Sequence, residues 1–177
     1  MKLLASIALM TLAGSVVAMA EGMPVQGAFA VAYTGTANKA GASYCDPSGT
    51  ILPIAVEAHG DGFTSLGGLS FSLQKGIGFD GTLHGCLTLT APNGDTLTAV
   101  YTGTEGGTNS NNFTPAAGML VFTGGTGRFK GATGSAKFTA TFATFYPELT
   151  ILAGTSAPAQ GMAFYVFEGT LSFHAHD

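Results

Sequence analysis

The sequence predicts an all-β protein, an eight-stranded antiparallel β-barrel preceded by a cleavable signal peptide, and three observations lead there. Charged residues make up only 9% of the chain, against roughly 25% in ordinary soluble proteins. The missing polarity is supplied by 23 threonines and 27 glycines; threonine is β-branched and suits a half-buried strand face, and glycine is poor helix material. Eight segments of strand chemistry are bounded by glycine, proline or asparagine, and apolar and polar residues alternate along them with the period of a strand. An even number of short strands with edges to hide favours closure into a barrel over a two-sheet sandwich.

Residues 1–20, MKLLASIALMTLAGSVVAMA, combine an early Lys2, an apolar run and small residues ending in Ala18-Met19-Ala20. That is the layout of a cleavable secretory signal, and it predicts export to the periplasm or beyond. Gly14 and Ser15 interrupt a run already short of the roughly 20 apolar residues a transmembrane helix needs. Residues 21–177 then form one domain. Strands are expected at about 27–36, 50–58, 65–74, 81–90, 95–104, 118–123, 135–142 and 162–174. The clearest hairpin is LTLTAPNGDTLTAVYTGT, in which Pro92-Asn93-Gly94-Asp95 turns between two alternating runs. Leu87 and Leu89 share a face opposite His84, Cys86, Thr88 and Thr90, and Leu97, Ala99 and Tyr101 oppose Thr96, Thr98, Val100 and Thr102. Two longer connections, 105–115 and 146–161, remain; the second is placed either to cover one barrel mouth or to run free on the surface.

The stretch FTGGTGRFKGATGSAKFT carries Gly124, Gly125, Gly127, Gly131 and Gly134 around Arg128, the only arginine. A dinucleotide-binding loop needs a third glycine where Lys130 stands and a helix after it. The residues after Gly134 are instead Ser135-Ala136-Lys137-Phe138-Thr139-Ala140-Thr141-Phe142, which alternate like a strand. These glycines are therefore expected to be turn residues supplying positive φ.

Net charge is -4, and losing Lys2 with the signal makes it more negative, which excludes nucleic acid as an evident partner. Cys45 and Cys86 are the only cysteines. In an exported chain they are expected to form a disulfide, closing a loop of about 40 residues that contributes roughly 4 kcal/mol. Their spacing is not that of a redox pair, two cysteines do not make a zinc site, and no motif calls for a cofactor.

Several residues are candidates for chemistry, each with a plain structural alternative. Glu57 and His59 share a strand face and suit acid-base work in a pocket, or lie outside near a turn at His59-Gly60-Asp61-Gly62. Glu168 interrupts the apolar run Ala163-Phe164-Tyr165-Val166-Phe167. Facing inward it would be a catalytic or ligand-binding carboxyl with a raised pKa, facing outward a solubilising one. Tyr101 on the apolar face and Arg128 at the rim are candidate ligand contacts; Arg128 otherwise pairs with a carboxylate or with turn carbonyls. His84, near Cys86, is expected at the surface beside a loop. His174, His176 and Asp177 have the spacing of a metal chelate but sit in a C-terminal tail, and no metal is expected there.

The run Thr123-Gly124-Gly125-Thr126-Gly127-Arg128-Phe129-Lys130-Gly131-Ala132-Thr133-Gly134, preceded by Asn93-Gly94-Asp95-Thr96-Leu97 and Tyr101-Thr102-Gly103-Thr104, resembles exported bacterial proteins of the allene oxide cyclase barrel-like group. Plant dirigent proteins and allene oxide cyclases are distant relatives of that group. The similarity spans about 81–142 and is specific for the barrel rather than for an activity. It implies an eight-stranded antiparallel barrel whose lumen, in relatives of known role, holds an apolar substrate and steers a cyclisation or radical coupling. The relatives' polar lumen residues have no assignable counterparts here, so the fold carries over and the catalysis does not. Three functions are then expected in turn. The first is a non-catalytic exported barrel that binds a small apolar ligand or an envelope partner. The second is a cyclase-like or dirigent-like enzyme using Glu57, His59 and Glu168. The third is an outer-membrane barrel, opposed by the absence of tryptophan and by the shortness of the expected strands. Oligomeric state is not legible in the sequence.

Overall fold

The structure, a computed structural model, describes residues 22–145 and 158–173. Eight strands run β1 (Met23–Ala37), β2 (Ile54–Thr64), β3 (Gly67–Ile77), β4 (Thr82–Thr90), β5 (Thr96–Glu105), β6 (Phe113–Gly125), β7 (Ala132–Thr144) and β8 (Ala159–Phe173). Each pairs antiparallel with the next, and β8 returns to β1, from Met23 opposite Leu171 to Gly35 opposite Ala159, so the barrel is closed. Closure follows from the composition: strands apolar on one side only can bury those sides together by curling around a common axis, and closing removes both sheet edges.

Alternation sets the two faces. Leu83, Leu87, Leu89, Leu97, Ala99 and Tyr101 point inward and are buried, as their spacing predicts, with the threonines between them outside. The centre of the barrel is filled by aromatic rings around Tyr165, whose centroid lies 5.0 Å from that of Phe71, 5.7 Å from Phe142 and 6.4 Å from Phe138. The interior is thus packed across its middle, and only its ends are open to form sites.

The β4–β5 hairpin turns at Pro92-Asn93-Gly94-Asp95, with Gly94 at φ 88 and its N–H bonded to the Ala91 carbonyl at 2.9 Å. Between β6 and β7 the glycine run makes a single 3-10 turn, Gly127–Phe129. Gly124, Gly127, Gly131 and Gly134 have positive φ, whereas Gly125 does not. No helix comes after it, so there is no N-terminus to hold a phosphate. Asp95 occupies the turn instead: its carboxylate accepts from the Arg128 N–H at 3.1 Å and would collide with any Cβ on Gly127.

Three boundaries differ from expectation, each for a physical reason. The expected turn at 59–62 is strand: Gly60 and Gly62 point inward where β1 presses close, and a Cβ on Gly62 would lie 2.5 Å from Cδ1 of Phe29. β2 therefore runs on to Thr64, where the Thr64 hydroxyl accepts from the Leu66 N–H and donates to the Gly67 carbonyl. β6 begins at Phe113 rather than 118 because Pro115 is tolerated. Its carbonyl accepts from the Gly106 N–H at 2.7 Å, and its nitrogen points the same way, past the end of β5, so the pairing with β7 runs through it unbroken. Last, the strands are 9 to 15 residues long, enough to cross a bilayer, so shortness does not argue against a lipid-embedded barrel. Residues 1–20 and the chelate candidates His174, His176 and Asp177 lie outside the described residues, as does most of the 146–161 connection.

Candidate functional site

One barrel end receives the connections 38–53, 78–81 and 106–112, and there a cavity of about 460 Å³ opens. Its apolar side chains are Ile54 and Val56 on β2, Ile77 on β3, Phe142 on β7 and Tyr33 on the neighbouring β1, with Asp80 and Thr108 also in the lining. The Tyr33 hydroxyl is hydrogen-bonded to Oγ1 of Thr144, which holds the ring against Phe142 in an edge-on contact at 5.6 Å.

Into this wall β3 inserts Lys75 and β5 inserts Glu105. Their Nζ and Oε2 are 3.5 Å apart, and Lys75 is fully buried while the Glu105 side chain is 10% exposed. Lys75 Nζ also lies 4.1 Å from the Phe142 ring centroid and 5.8 Å from that of Tyr101, so the ammonium is stabilised by a carboxylate and by ring faces together. Among the described residues it is the one fully buried charged side chain in the barrel interior. Just inside, Tyr101 stacks on Phe138 at 4.3 Å, and the buried hydroxyls of Tyr101 and Tyr165 interact with each other. Burial pushes both phenol pKa values up, and the negative charge of Glu105 raises each further. The mouth thus combines an apolar wall, a buried ion pair and two phenols one layer below, a set able to enclose an apolar molecule and to hydrogen-bond one or two of its polar atoms.

Of the sequence candidates, only Tyr101 faces this interior. Glu57, His59 and Glu168 are exposed on the outer surface, because the strand parity that sends Val56, Ala58 and Phe167 inward sends them out. They are not brought together with one another or with the mouth. Arg128 is exposed at the opposite end, its guanidinium 4.7 Å from the Phe129 ring centroid, and its backbone N–H holds Asp95, whose pKa that bond lowers.

The disulfide Cys45–Cys86 is formed, with Cα atoms 5.4 Å apart. It pins the 38–53 connection against the outside of β4. Tyr44 and Cys45, at φ 46 and 61, turn the chain toward Cys86, and the Asn38 side chain ties the two ends of the connection through the carbonyls of Ala42 and Leu52. His84 is therefore beside a loop as expected, yet buried beneath it, with Nε2 3.5 Å from the Asp46 carboxylate.

Lys75 and Glu105 escaped the sequence reading, although a signal was present. Lys75 continues the inward series Leu69, Phe71, Leu73, and Glu105 continues Leu97, Ala99, Tyr101. A charge in the apolar phase of a strand, at the end where the barrel opens, is how such a pair is found.

No protein-family model and no curated protein matches the chain. Among solved structures it is similar to the pterocarpan synthase dirigent protein, at 14% identity over 86% of this chain and 89% of that one, with a TM-score of 0.36. The chemistry of the site rests on its own geometry.

Proposed function

We propose that this is an exported, non-catalytic β-barrel that binds a small, largely apolar molecule at the mouth, with Lys75 and Glu105 recognising its polar end. The observation that carries the reading is the 460 Å³ cavity, whose apolar side chains surround one buried ion pair, with Asp80 and Thr108 also in its lining. That volume lies within the roughly 300 to 1,000 Å³ of ordinary small-molecule sites. Tyr101, fully buried beneath the cavity, supports Lys75 from below in this reading; Arg128 and Glu168, at the far end and on the outside, take no part. Export is supported by the disulfide, which persists in oxidising compartments. An outer-membrane location is disfavoured by the inverted pattern of the faces. Leu, Phe and Tyr fill the lumen while Glu57, Asp61, Lys137 and Glu168 stand outside, whereas a lipid-facing barrel is apolar outside and polar within.

The test is native mass spectrometry of the mature protein purified without detergent, beside the denatured sample, with anilinonaphthalene sulfonate fluorescence as a probe of the empty site. A mass excess lost on denaturation and abolished by Lys75→Met supports the reading. A bare chain whose Lys75→Met variant binds the dye as well as the parent does would sink it and leave an envelope protein partner in its place.

A second reading, a cyclase-like or dirigent-like enzyme, is favoured by Lys75 and Glu105 lying together in the cavity wall, where protons can be exchanged with a bound molecule. Turnover of the captured ligand by the parent and none by Glu105→Gln, with binding retained in both, would establish it over the first.

A further inference from the structure

The outer face of the barrel is uneven along β8 and β1. On β8, Met162, Phe164 and Val166 point outward and are 40%, 59% and 54% exposed. Their cross-strand partners on β1 are Ala32, Ala30 and Ala28, all outward and exposed. A ridge of large apolar side chains thus stands beside a trough of methyl groups. The trough widens across β2 into a shallow groove of about 710 Å³, with Phe63, 80% exposed, on its far rim.

We propose that this face is where two copies of the chain pack, β8 of one over β1 of the other. The shape names the occupant. A two-fold axis in the interface plane, parallel to the strands, sets each ridge opposite the partner's trough, so that Phe164 of each copy covers Ala30 of the other and both contacts form at once. Aligned packing of two sheet faces needs this matching of tall and short side chains. The two largest exposed rings supply part of the area such an interface needs. Phe63 and Phe164, at about 150–250 Å² apiece when fully exposed and 80% and 59% exposed here, present roughly 280 Å², a third of the ~800 Å² each partner buries in a stable interface. Polar groups form the border: Asp61, held by the Ser70 hydroxyl at 2.8 Å, on one side, and Lys137 with Glu168, cross-strand neighbours, at the far end of the ridge.

The experiment is sedimentation velocity of the mature protein over a wide concentration range, with Phe164→Glu, Ala30→Glu and, on the opposite side of the barrel, Thr102→Glu. The expected result is a dimer for the parent and Thr102→Glu. In the two face variants a carboxylate forced into the apolar contact raises the dissociation constant by roughly a hundredfold, with near-ultraviolet circular dichroism unchanged. To keep the test independent of any folding defect in the glutamate variants, the register is tested separately by mixing the single variants Ala30→Cys and Phe164→Cys. Oxidation is expected to cross-link the mixture into dimers and to leave the Thr102→Cys variant, treated alike, uncoupled. A parent that is monomeric at all concentrations, a trimer, a dimer that survives both face variants, or a monomer that instead binds lipid vesicles through this face would each overturn the proposal.

Discussion

Lys75 shows how one residue can define a site. An ammonium with no solvent exposure is stabilised here by Glu105, 3.5 Å away, and by the ring face of Phe142; removing the carboxylate takes a nearby counter-charge away. Glu105→Gln is expected to lose about 1–3 kcal/mol in urea unfolding, and Lys75→Met, which keeps the apolar stem and removes the charge, to lose less. No loss in Glu105→Gln, which keeps the shape and removes the charge, would show that the pair acts by packing alone. Asp46 is a second residue with a measurable signature. Its pKa is held down to about 2, first by the Ser48 hydroxyl, then by the Ser48 N–H, with Thr50 and His84 adding to them. Because the folded value lies below the unfolded one of about 3.9, its contribution to stability is present above that pH and is lost as pH falls toward 2. A carbon-detected NMR titration of the Asp46 carboxyl is expected to show a midpoint near 2, moving up in Ser48→Ala. Lys75 and Glu105 were legible only as charges in the apolar phase of their strands, because parity says which way a side chain points but not whether the strand end it occupies is a lumen or a rim.

Among the connections, two hold the barrel's ends in shape. The 3-10 turn between β6 and β7 depends on Gly127, at φ 52 with the Asp95 carboxylate against it. Gly127→Ala is expected to cost about 1–3 kcal/mol from the left-handed backbone and the displaced carboxylate, whereas Thr123→Ala, on the exposed side of β6, should leave the melting temperature nearly unchanged. The 38–53 connection depends on its disulfide, which closes a loop of sequence separation 41. Its reduction is expected to lower stability by about 2–4 kcal/mol and to expose His84 to solvent, seen as faster deuterium exchange at its ring C–H. Both features were foreseeable from glycine positions and cysteine number. The continuation of β2 through Gly60 and Gly62 was not, since a glycine that serves a turn and one that admits a neighbouring strand look alike in sequence.

At the scale of the molecule, the packed lumen makes the barrel sensitive to alkali. Tyr101 and Tyr165 are buried, and their pKa values are raised mainly by that burial. A group whose folded pKa lies above its unfolded one stabilises the fold fully below the unfolded value, and that stability is lost as pH climbs above it, here from about pH 10. Phenolate absorbance should therefore show these two rings ionising together with loss of the near-ultraviolet dichroism rather than before it, and Tyr101→Phe should move the alkaline transition to higher pH. A phenolate signal from these two rings in a still-folded protein would contradict the packed interior.

The sequence by itself determined the class, the eight strands, the faces of most of them, the hairpin at Asn93-Gly94 and the cysteine pair, because period-two alternation, turn chemistry and redox context are local properties of the chain. Only the tertiary structure decided that Glu57, His59 and Glu168 stand outside while Lys75 and Glu105 meet inside, and that Phe164 stands over a trough of alanines. Those facts depend on which strands become neighbours and how tightly the sheet curls, and both are set by the closure of the whole barrel rather than by any one of its segments.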